Sequence, residues 1–416
     1  MESKSNWWSR EQPADVLSGP SFIRHWTTQS FGSHTPTTQQ LQSMTDLTSQ
    51  LWNKFNTDRA NLDRDYMSDE KSLSAYMASF LLPNIERVRA VLSHSRMVKK
   101  VTQLAEIETI DVLDFGSGPL SATIGLLLAM NDVNKSTGKV NCSTKKIRLT
   151  AVERSEKAVR RAQILLEQSL HPSVGIEVER VTAIPMNRSF HVIVAANVLN
   201  EIPEKHRFKV INSLLGSMNT ETAAMTVIIE PGQDEHSKKL ASLRDSIFSS
   251  DLSRQIDLIA PCPHKNACPL GPKSQRRDWC WFKTEFDRPS ILIELDRRTK
   301  LDHSQLAFSW LALGRENSVS GQESVAVCVS DEMPVGHIND ADRRMEYFKN
   351  NILSSQNKDS SVVLEKIARS GHKTMLCMPT GQLAGGLRLR SESDEKIQRG
   401  NELNPSSAFS IVIAER

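Results

Sequence analysis

The stretch "DVLDFGSGPLSATIG" (111–125) places Gly116 and Gly118 directly after a short apolar strand pattern and before a helix pattern. Glycines at such a turn let the backbone approach a ligand closely, and the free N–H groups at the start of the following helix attract negatively charged groups. Asp114 lies at the end of the predicted strand, just before the first glycine. A glycine pair alone is a weak signal, so its interpretation depends on the surrounding segments.

Strand and helix patterns alternate along the chain from this turn onward. Apolar runs predict strands at 110–116, 146–153, 190–199 and 223–232. Each is followed by a run that predicts a helix, at 121–130, 155–168, 204–218 and 234–248. Strands that alternate with helices of this length form parallel sheets with right-handed crossovers, so the predicted fold class is α/β with a doubly wound, Rossmann-like sheet.

A second acidic residue, Glu153, ends the next predicted strand, where a carboxylate binds the ribose of a nucleotide cofactor. Its distance from the glycine turn exceeds the usual separation of about 20 residues, and we interpret the polar stretch 131–146 as an inserted loop. A third glycine, expected of a dinucleotide turn, is missing from 120–122. An acid before the glycine pair is typical of class I methyltransferases, so S-adenosylmethionine is favoured over a dinucleotide. A turn that binds no ligand remains an alternative.

The strand predicted at 190–199 ends in the polar sequence "AANVLNEIP" (195–203). Asn197 is a candidate to bind the cofactor, and Asn200 and Glu201 could also hydrogen-bond a cofactor or substrate. These side chains suit the capping of the strand and the next helix equally well. No general base or nucleophile is evident, so the catalytic residues are unknown.

Composition and local patterning divide the chain into five parts. The parts are a flexible arm (1–40), a helical module (41–105), a methyltransferase-like domain (106–258), a cysteine-rich basic segment (259–300) and a C-terminal β-rich module (301–416). No apolar run is long enough to cross a membrane, and the N-terminus lacks a signal-peptide core. We therefore expect a reducing compartment, in which six cysteines are more typical of metal binding than of a disulfide framework.

The segment "CPHKNACPLGPKSQRRDWCW" (262–281) contains Cys262, Cys268 and Cys280. Thiolates are soft ligands for zinc and for iron–sulfur clusters. The spacing leaves three interpretations open: an iron–sulfur site, a zinc site completed by His264, or no metal.

A four-cysteine iron–sulfur site needs one further thiolate, and two candidates lie downstream. Cys328 lies within a strand pattern, where a cysteine usually serves as a small buried apolar residue. Cys377 comes at a predicted strand end, before Pro379 and Gly381, which is a better place for a ligand.

The segment around these cysteines is basic. Between residues 260 and 300 there are nine Lys and Arg against five Asp and Glu, interspersed with Trp279, Trp281 and Phe282. This pattern suits an RNA backbone and exposed bases, and equally a solvated surface beside buried aromatics. The net charge of +3 for the whole chain permits a nucleic-acid partner without requiring one.

Together these features resemble one family, the methyltransferase-like proteins of the small ribosomal subunit that occur in mitochondria and many bacteria. The stretches that carry the resemblance are "AYMASFLLPNIERVRAVL" (75–92), "VLDFGSGPLSA" (112–122), "VIIEPG" (227–232), "APCPHKNACPL" (260–270), "DWCWF" (278–282), "FSWLALGR" (308–315) and "SGHKTMLCMPTGQL" (370–383). The Cys-Pro-His…Cys-Pro stretch after the Glu-Pro-Gly strand end is the specific part.

The resemblance implies a class I methyltransferase domain between an N-terminal helical module and a C-terminal β-rich module. It also implies a [4Fe–4S] cluster, whose ligands by carry-over are Cys262, Cys268, Cys280 and Cys377. Asp114, Gly116, Gly118, Glu153 and Asn197 are the residues predicted to bind S-adenosylmethionine.

The function that follows is a small-subunit assembly or translation factor that binds rRNA and is monomeric away from the ribosome. One alternative is an active S-adenosylmethionine-dependent rRNA methyltransferase, and another is a zinc-binding or iron-responsive RNA-binding regulator. We expect no membrane association, and a bacterial cytoplasm or, as the alternative, the mitochondrial matrix.

Overall fold

A computed structural model describes residues 7–9, 15–57, 66–136, 146–221, 223–272, 279–315, 326–328, 333–334, 372–378, 382–388, 397, 401–403 and 411–414. The chain divides into two compact units. Unit 1 comprises Met1–Glu230, Thr284–Leu306 and Leu313–Arg315, and unit 2 comprises Pro231–Lys283, Ala307–Ala312 and Glu316–Arg416. Within the described residues, no helix is both long enough and apolar enough to span a membrane.

Unit 1 begins with helices. They are α1 (Gly19–Phe31), α2 (Thr38–Thr57), α3 (Glu70–Tyr76), α4 (Leu82–Leu92) and α5 (Ser95–Ala105). A π-helical turn, Met77–Leu81, joins α3 to α4, and Pro83 lies in the first turn of α4. The backbone stays helical through this join, since Met77, Leu81 and Leu82 all have right-handed helical dihedral angles. Pro83, which has no N–H to donate, therefore follows a local change from α-helical to π-helical hydrogen bonding and not the free start of a helix.

The predicted flexible arm contains α1, which the composition did not indicate. Ser18 caps the helix by accepting a hydrogen bond from the Ser21 N–H, and Gly32 ends it with a left-handed backbone at φ 80°. Phe22 and Trp26 are fully buried, and Trp26 Nε1 donates to the Met77 carbonyl at 2.7 Å. Aromatic burial against the next helices thus orders a segment whose polar composition predicted an arm.

The sheet of unit 1 is parallel, with strand order β3-β2-β1-β4-β5. The strands are β1 (Thr109–Phe115), β2 (Lys146–Val152), β3 (Gly175–Val181), β4 (Val192–Ala196) and β5 (Met225–Pro231). The crossover helices are α6 (Ser121–Ser136), α7 (Glu156–Glu167) and α8 (Glu204–Gly216). The order reverses between β1 and β4, which is where ligands bind in open α/β sheets.

Two elements of this sheet differ from the sequence-based expectation. β3 was not predicted, because its alternating apolar and charged residues at an edge of the sheet give a weaker pattern than a central strand does. The inserted loop expected at 131–146 begins later, because α6 continues to Ser136. Asn131 is buried in that extension, where its side chain accepts a hydrogen bond from the Val16 N–H at 2.7 Å. Residues 137–145 of that loop, with Cys142, lie outside the described residues.

Unit 2 starts with α9 (Asp234–Ser249) and β6 (Ile256–Ala260). β7 (Phe282–Glu285) pairs with β8 (Gln305–Arg315). The helix between these strands in the chain, α10 (Ser290–Thr299), belongs to unit 1. β8 contributes residues to both units.

A second, antiparallel sheet carries the strands near the C-terminus. Its order is β13-β9-β11-β12-β14, with β10 beside β11. The strands are β9 (Ala326–Cys328), β10 (Met333–Pro334), β11 (His372–Cys377), β12 (Leu383–Arg388), β13 (Glu402–Leu403) and β14 (Ile411–Ala414). Within the described residues of 301–416, the chain forms β8 and these short strands.

Candidate functional site

The glycine turn follows β1 as the sequence predicted. The backbone conformation at both positions favours glycine over any other residue. Gly116 and Gly118 have left-handed backbones, with φ of +68° and +48°. The Gly116 N–H donates to the Val152 carbonyl at 2.9 Å, which ties the turn to the end of β2. A Cβ atom on Gly116 would lie 2.3 Å from Val198 Cγ2. Val198, at the end of β4, therefore packs directly against the turn.

Asp114 is buried at the end of β1, and its carboxylate contacts the protein itself. One oxygen, Oδ2, accepts hydrogen bonds from the Thr123 hydroxyl at 2.8 Å and from the Thr123 N–H at 3.2 Å. Burial raises the pKa of this carboxyl to about 7, although the two hydrogen bonds oppose the shift. In this structure Asp114 holds the first turn of α6.

Glu153 reaches the glycine turn from the end of β2. Its Oε2 accepts the Gly118 N–H at 2.9 Å, while Oε1 accepts the N–H groups of Arg154 and Ser155 at 2.8 and 2.9 Å. The two acid-bearing elements found in the sequence therefore meet at one turn. The carboxylate takes up one of the N–H groups that such a turn otherwise offers to a ligand.

Met67 lies over the same turn. Its terminal carbon is 3.5 Å from the position that a Cβ atom of Gly118 would take. The Met67 carbonyl accepts a hydrogen bond from the Ser155 hydroxyl at 3.0 Å, which fixes the short helical segment Tyr66–Ser68 beside the end of β2. The side chains of Met67 and Val198 thus cover the two glycines from different elements.

Asn197 belongs to a polar cluster that the sequence alone did not reveal. Its Nδ2 donates to Asn84 Oδ1 at 3.2 Å, and Arg87 Nη1 donates to the same oxygen at 2.7 Å. Asn84 Nδ2 in turn donates to the Tyr76 hydroxyl at 3.0 Å. A cluster that contains Tyr76, Asn84 and Arg87 from the N-terminal helices thus meets the end of β4, beside the point where the strand order reverses.

Burial shifts the pKa values of two members of this half-buried polar cluster. Burial lowers the pKa of Arg87 to about 10. Burial and the negative charge of Glu201 raise the pKa of Tyr76 above its usual range. The three helix residues lie at positions i, i+8 and i+11, which places them on one helical face and is the pattern that could have identified them in the sequence. An arginine in such surroundings can bind a carboxylate.

Asn200 and Glu201 are two further candidates for binding a cofactor or substrate. The Asn200 side chain makes hydrogen bonds within the protein. Its amide donates to the Asn197 carbonyl at 3.2 Å and to Glu230 Oε2 at 3.1 Å. The other oxygen of Glu230 accepts the Leu199 N–H at 3.0 Å. These contacts shape the turn after β4.

The four cysteines implied by the resemblance come together in unit 2. Cys262, Cys268, Cys280 and Cys377 are free thiols and line one cavity with His264. His264 Nε2 lies 3.3 Å from the Cys377 Sγ. Cys377 is only 8% exposed and is carried by β11, far along the chain from the other three. The side chain of Cys328 lies outside the described part of the structure.

These thiols are in an apolar environment. Burial, then the neighbouring Cys262, raises the pKa of Cys268 to about 12. Burial also raises the pKa of Cys377 well above its usual value. His264 has a pKa lowered to about 4, first by burial and then by Arg244. Without a bound cation, the Cys268 and Cys377 thiols and the His264 imidazole are therefore uncharged at neutral pH.

The donor atoms that line this cavity determine which bound group it fits. Among the residues that the structure describes, no group of three or more His, Cys, Asp or Glu stands in metal-ligand geometry. Four soft donors nevertheless share one cavity, and the buried Arg244 Nε beside three of them lacks a hydrogen-bond partner within the described residues. Ligand geometry is completed when a metal binds, whereas the donor type and the convergence of the thiols already fit a thiolate-bound metal or cluster.

The basic segment is more strongly ion-paired than its composition suggested. Lys265 pairs with Asp257 at 2.7 Å, and Arg288 with Asp296 at 2.6 Å. Arg297 and Arg298 both pair with Glu294. These cations are therefore partly neutralised, whereas Lys273, Arg276 and Arg277 lie outside the described residues.

Two aromatic residues of that segment, Phe282 and Trp279, make contacts within the protein. Phe282 is 5% exposed and lies 5.9 Å from the Trp310 ring and 6.4 Å from the Phe308 ring, measured between centroids. Trp279 Nε1 donates to the Gly232 carbonyl at 2.8 Å. Phe282 is thus part of the core and is unavailable for stacking on an RNA base.

A parallel sheet of order 3-2-1-4-5, with a glycine turn after its first strand and an acid after its second, defines the chain as a protein of the class I methyltransferase fold. Residues 74–386 match the model of the family described as "Mitochondrial small ribosomal subunit Rsm22". This match covers most of the chain, and the protein belongs to the Rsm22 family. No curated protein matches the chain.

Several solved methyltransferase structures are similar to parts of the chain. A SAM-dependent methyltransferase from Leishmania major has 11% identity over 65% of this chain and 83% of its own, with a TM-score of 0.33. Magnesium protoporphyrin IX methyltransferase from Synechocystis PCC 6803 has 12% identity over 52% and 91%, with a TM-score of 0.28. A putative RNA methyltransferase from Pyrococcus horikoshii has 11% identity over 56% and 83%, also with a TM-score of 0.28. At these values the similarity says nothing about a substrate of this chain.

Proposed function

We propose that this protein is a factor of the mitochondrial small ribosomal subunit that binds rRNA during assembly or translation. The observation that carries the proposal is the family match over residues 74–386, since the family is described as mitochondrial small ribosomal subunit. The same description favours the mitochondrial matrix over the bacterial cytoplasm. In this proposal the methyltransferase fold is chiefly a scaffold.

The contacts at the glycine turn support a scaffold role. Met67 and Val198 cover Gly118 and Gly116, and Glu153 accepts the Gly118 N–H. A nucleoside bound at the turn would have to displace these contacts. The chain's own side chains therefore stabilise the turn in the way that a cofactor does in an active enzyme.

The cysteine site holds a [4Fe–4S] cluster in this proposal, with Cys262, Cys268, Cys280 and Cys377 as its ligands. When bound, such a cluster supplies four iron–thiolate bonds and an electron-accepting centre. The protein's part is to bring the loop that begins at Cys262 beside β11, and the shared cavity supports this assignment. Zinc is the alternative occupant, and His264 at 3.3 Å from Cys377 is then available as a further ligand.

The test of the ribosomal role is crosslinking of the protein to RNA in mitochondria, followed by sequencing. We expect crosslinks concentrated in the small-subunit rRNA, and a loss of assembled small subunits when the protein is depleted. A Cys262→Ser and Cys377→Ser double variant should restore assembly poorly, whereas a Lys54→Gln variant on α2 should restore it fully. Crosslinks spread over unrelated RNAs, with normal subunit levels after depletion, would refute the proposal.

An active rRNA methyltransferase is the second candidate, and the polar cluster favours it. Arg87, with Asn84 and Asn197, lies beside the crevice where class I enzymes bind S-adenosylmethionine, and a guanidinium there can bind the carboxylate of the cofactor's amino-acid part.

Calorimetric titration with S-adenosylmethionine separates this candidate from the scaffold. If the enzyme reading is right, the wild type binds and transfers labelled methyl groups to small-subunit rRNA, and Arg87→Gln weakens binding on the order of tenfold or more. Arg87→Lys is the matched control, since it keeps the charge. Undetectable binding by the wild type at millimolar cofactor leaves the scaffold role as the explanation of the fold.

A further inference from the structure

One face of α9 borders the cavity that contains Cys262, Cys268 and Cys280. Ser237 and Arg244 lie on that face about two helical turns apart, and they are only 3% and 2% exposed. The Arg244 Nε and the Ser237 Oγ have no hydrogen-bond partner among the residues that the structure describes. A buried donor without an acceptor costs free energy, so this face of α9 suits an acceptor located among the thiols.

The rest of the Arg244 guanidinium holds the cysteine loop. Its Nη1 donates to the Asn266 carbonyl at 2.8 Å and to Asp245 Oδ1 at 2.6 Å, and its Nη2 donates to the His264 carbonyl. Asp245 accepts the Cys268 N–H with both oxygens at 3.0 Å. Arg244 is therefore fixed in place by the same loop that carries the cysteines.

The charge of an occupied site requires a cation nearby. Four thiolates around zinc or a [4Fe–4S] cluster carry a net negative charge, and a buried charge is tolerated only when it is paired and hydrogen-bonded. Arg244 is the Lys or Arg side chain that borders this cavity within the described part of the chain. Lys265, on the same loop, is already paired with Asp257 at 2.7 Å.

We propose that Arg244 is the counter-ion of the thiolate-bound metal group and donates a hydrogen bond to it. The Ser237 hydroxyl is a second hydrogen-bond donor to the same group. This proposal rests on the metal-binding function proposed above for the cysteine site. Arg244 is a positioning residue in this role, because it acts on the bound group through charge and through the loop.

The experiment compares anaerobically purified wild type with Arg244→Gln, Arg244→Lys and Ser237→Ala. Iron, sulfide and zinc per chain are measured first, then the rate of metal loss to a chelator and the reduction potential of the bound cluster. We expect Arg244→Gln to bind its metal more weakly by about 10- to 100-fold, as is typical when a partner of the metal ligands is removed, and therefore to lose it faster to the chelator. Its remaining cluster should have a more negative potential, since a nearby positive charge favours the reduced form.

Arg244→Lys separates charge from loop support. Lysine keeps the positive charge but cannot reproduce the forked contacts to two carbonyls, so we expect faster metal loss with a potential close to that of the wild type. Ser237→Ala should shift the potential in the same direction as Arg244→Gln, by less. Arg254→Gln, whose side chain is 84% exposed in the same unit, is the control and should match the wild type.

The outcomes distinguish this inference from the proposed function. A wild type that holds a cluster, together with Arg244→Gln of unchanged potential and unchanged metal loss, overturns the inference alone. A colourless wild type with zinc overturns the cluster, and zinc release from Arg244→Gln then decides the counter-ion role. A wild type without any metal overturns both. Thermal unfolding of the metal-free proteins measures the loss of the loop contacts of Arg244, and the counter-ion role is the additional destabilisation that appears only in the metal-loaded forms.

Discussion

At the residue scale, the acidic groups predicted to bind a cofactor are used by the protein itself. Asp114 holds Thr123 at the start of α6, and Glu153 holds the Gly118 N–H. Residue type and position therefore identified the turn correctly, while the hydrogen-bond partners of each carboxylate depended on the folded chain. Two substitutions test these local roles.

Replacing Asp114 should change how stability depends on pH. Its pKa is about 7 in the folded protein and about 4 when unfolded. The folded state therefore binds the extra proton between these values, and the free energy of unfolding contributed by this group falls by up to about 4 kcal/mol as pH rises through that window. Asp114→Asn removes this loss, so its stability relative to the wild type should increase from pH 4 to pH 8.

The measurement is urea unfolding at several pH values, with Asp251→Asn as the control because the Asp251 side chain is 97% exposed. A stability difference between Asp114→Asn and the wild type that is constant with pH would contradict the buried, proton-binding role.

Gly116→Ala tests the close packing of the glycine turn. The new methyl group would meet Val198 at 2.3 Å on a backbone with φ of +68°, so we expect a loss of about 1–3 kcal/mol in the free energy of unfolding. Adding Val198→Ala should recover the steric part and leave the cost of the left-handed backbone. Gly216→Ala is the matched control, since nothing lies within 4 Å of its added carbon. Equal unfolding midpoints for both alanine variants would argue against the contact.

At the scale of elements, buried aromatic side chains stabilise the N-terminal helices. Polar groups of α3 and α4 also contact the end of β4. Trp7 and Phe22 pack edge to face at 5.8 Å, as do Trp26 and Phe31 at 6.0 Å. These contacts explain why a segment rich in polar residues forms a helix. The hydrogen bond from Trp26 to Met77 links α1 to the π-helical turn.

Trp26→Phe should destabilise unit 1 through that hydrogen bond. Removal of the indole N–H leaves the Met77 carbonyl without this donor, and we expect a cost of about 1–3 kcal/mol. Trp26→Ala should cost about 3–5 kcal/mol because it also empties a buried site. Trp52→Phe, at a residue that is 39% exposed, should cost less than Trp26→Phe. Urea midpoints give the ranking, and a larger effect at Trp52 would show that α1 is not anchored by Trp26.

At the scale of the whole molecule, the cysteine site joins parts of unit 2 that are distant in sequence. Cys377 on β11 meets Cys262, Cys268 and Cys280 in one cavity. A metal bound there stabilises the folded form by its binding free energy, because the unfolded chain does not hold four thiolates together.

Cys377→Ser should therefore lose the bound metal, whereas Cys328→Ser should keep it. Iron and sulfide analysis gives the content, and hydrogen exchange gives the consequence: Cys377→Ser should lose protection at 262–268 and 372–377 while β1 and β4 of unit 1 keep theirs. If Cys328→Ser loses the metal and Cys377→Ser does not, the fourth ligand is misassigned.

The sequence by itself determined the α/β class and the glycine turn, because periodicity and turn chemistry are local properties, while the set of four cysteines came from the resemblance to a family. It missed β3 and α1, since an edge strand and a polar helix have weak local patterns and are fixed by their neighbours. Only the tertiary structure decided that Met67 and Val198 cover the turn, that Arg87 lies beside it, and that Arg244 borders the thiols. The physical reason is that hydrogen bonding, burial and pKa depend on groups from elements far apart in the chain.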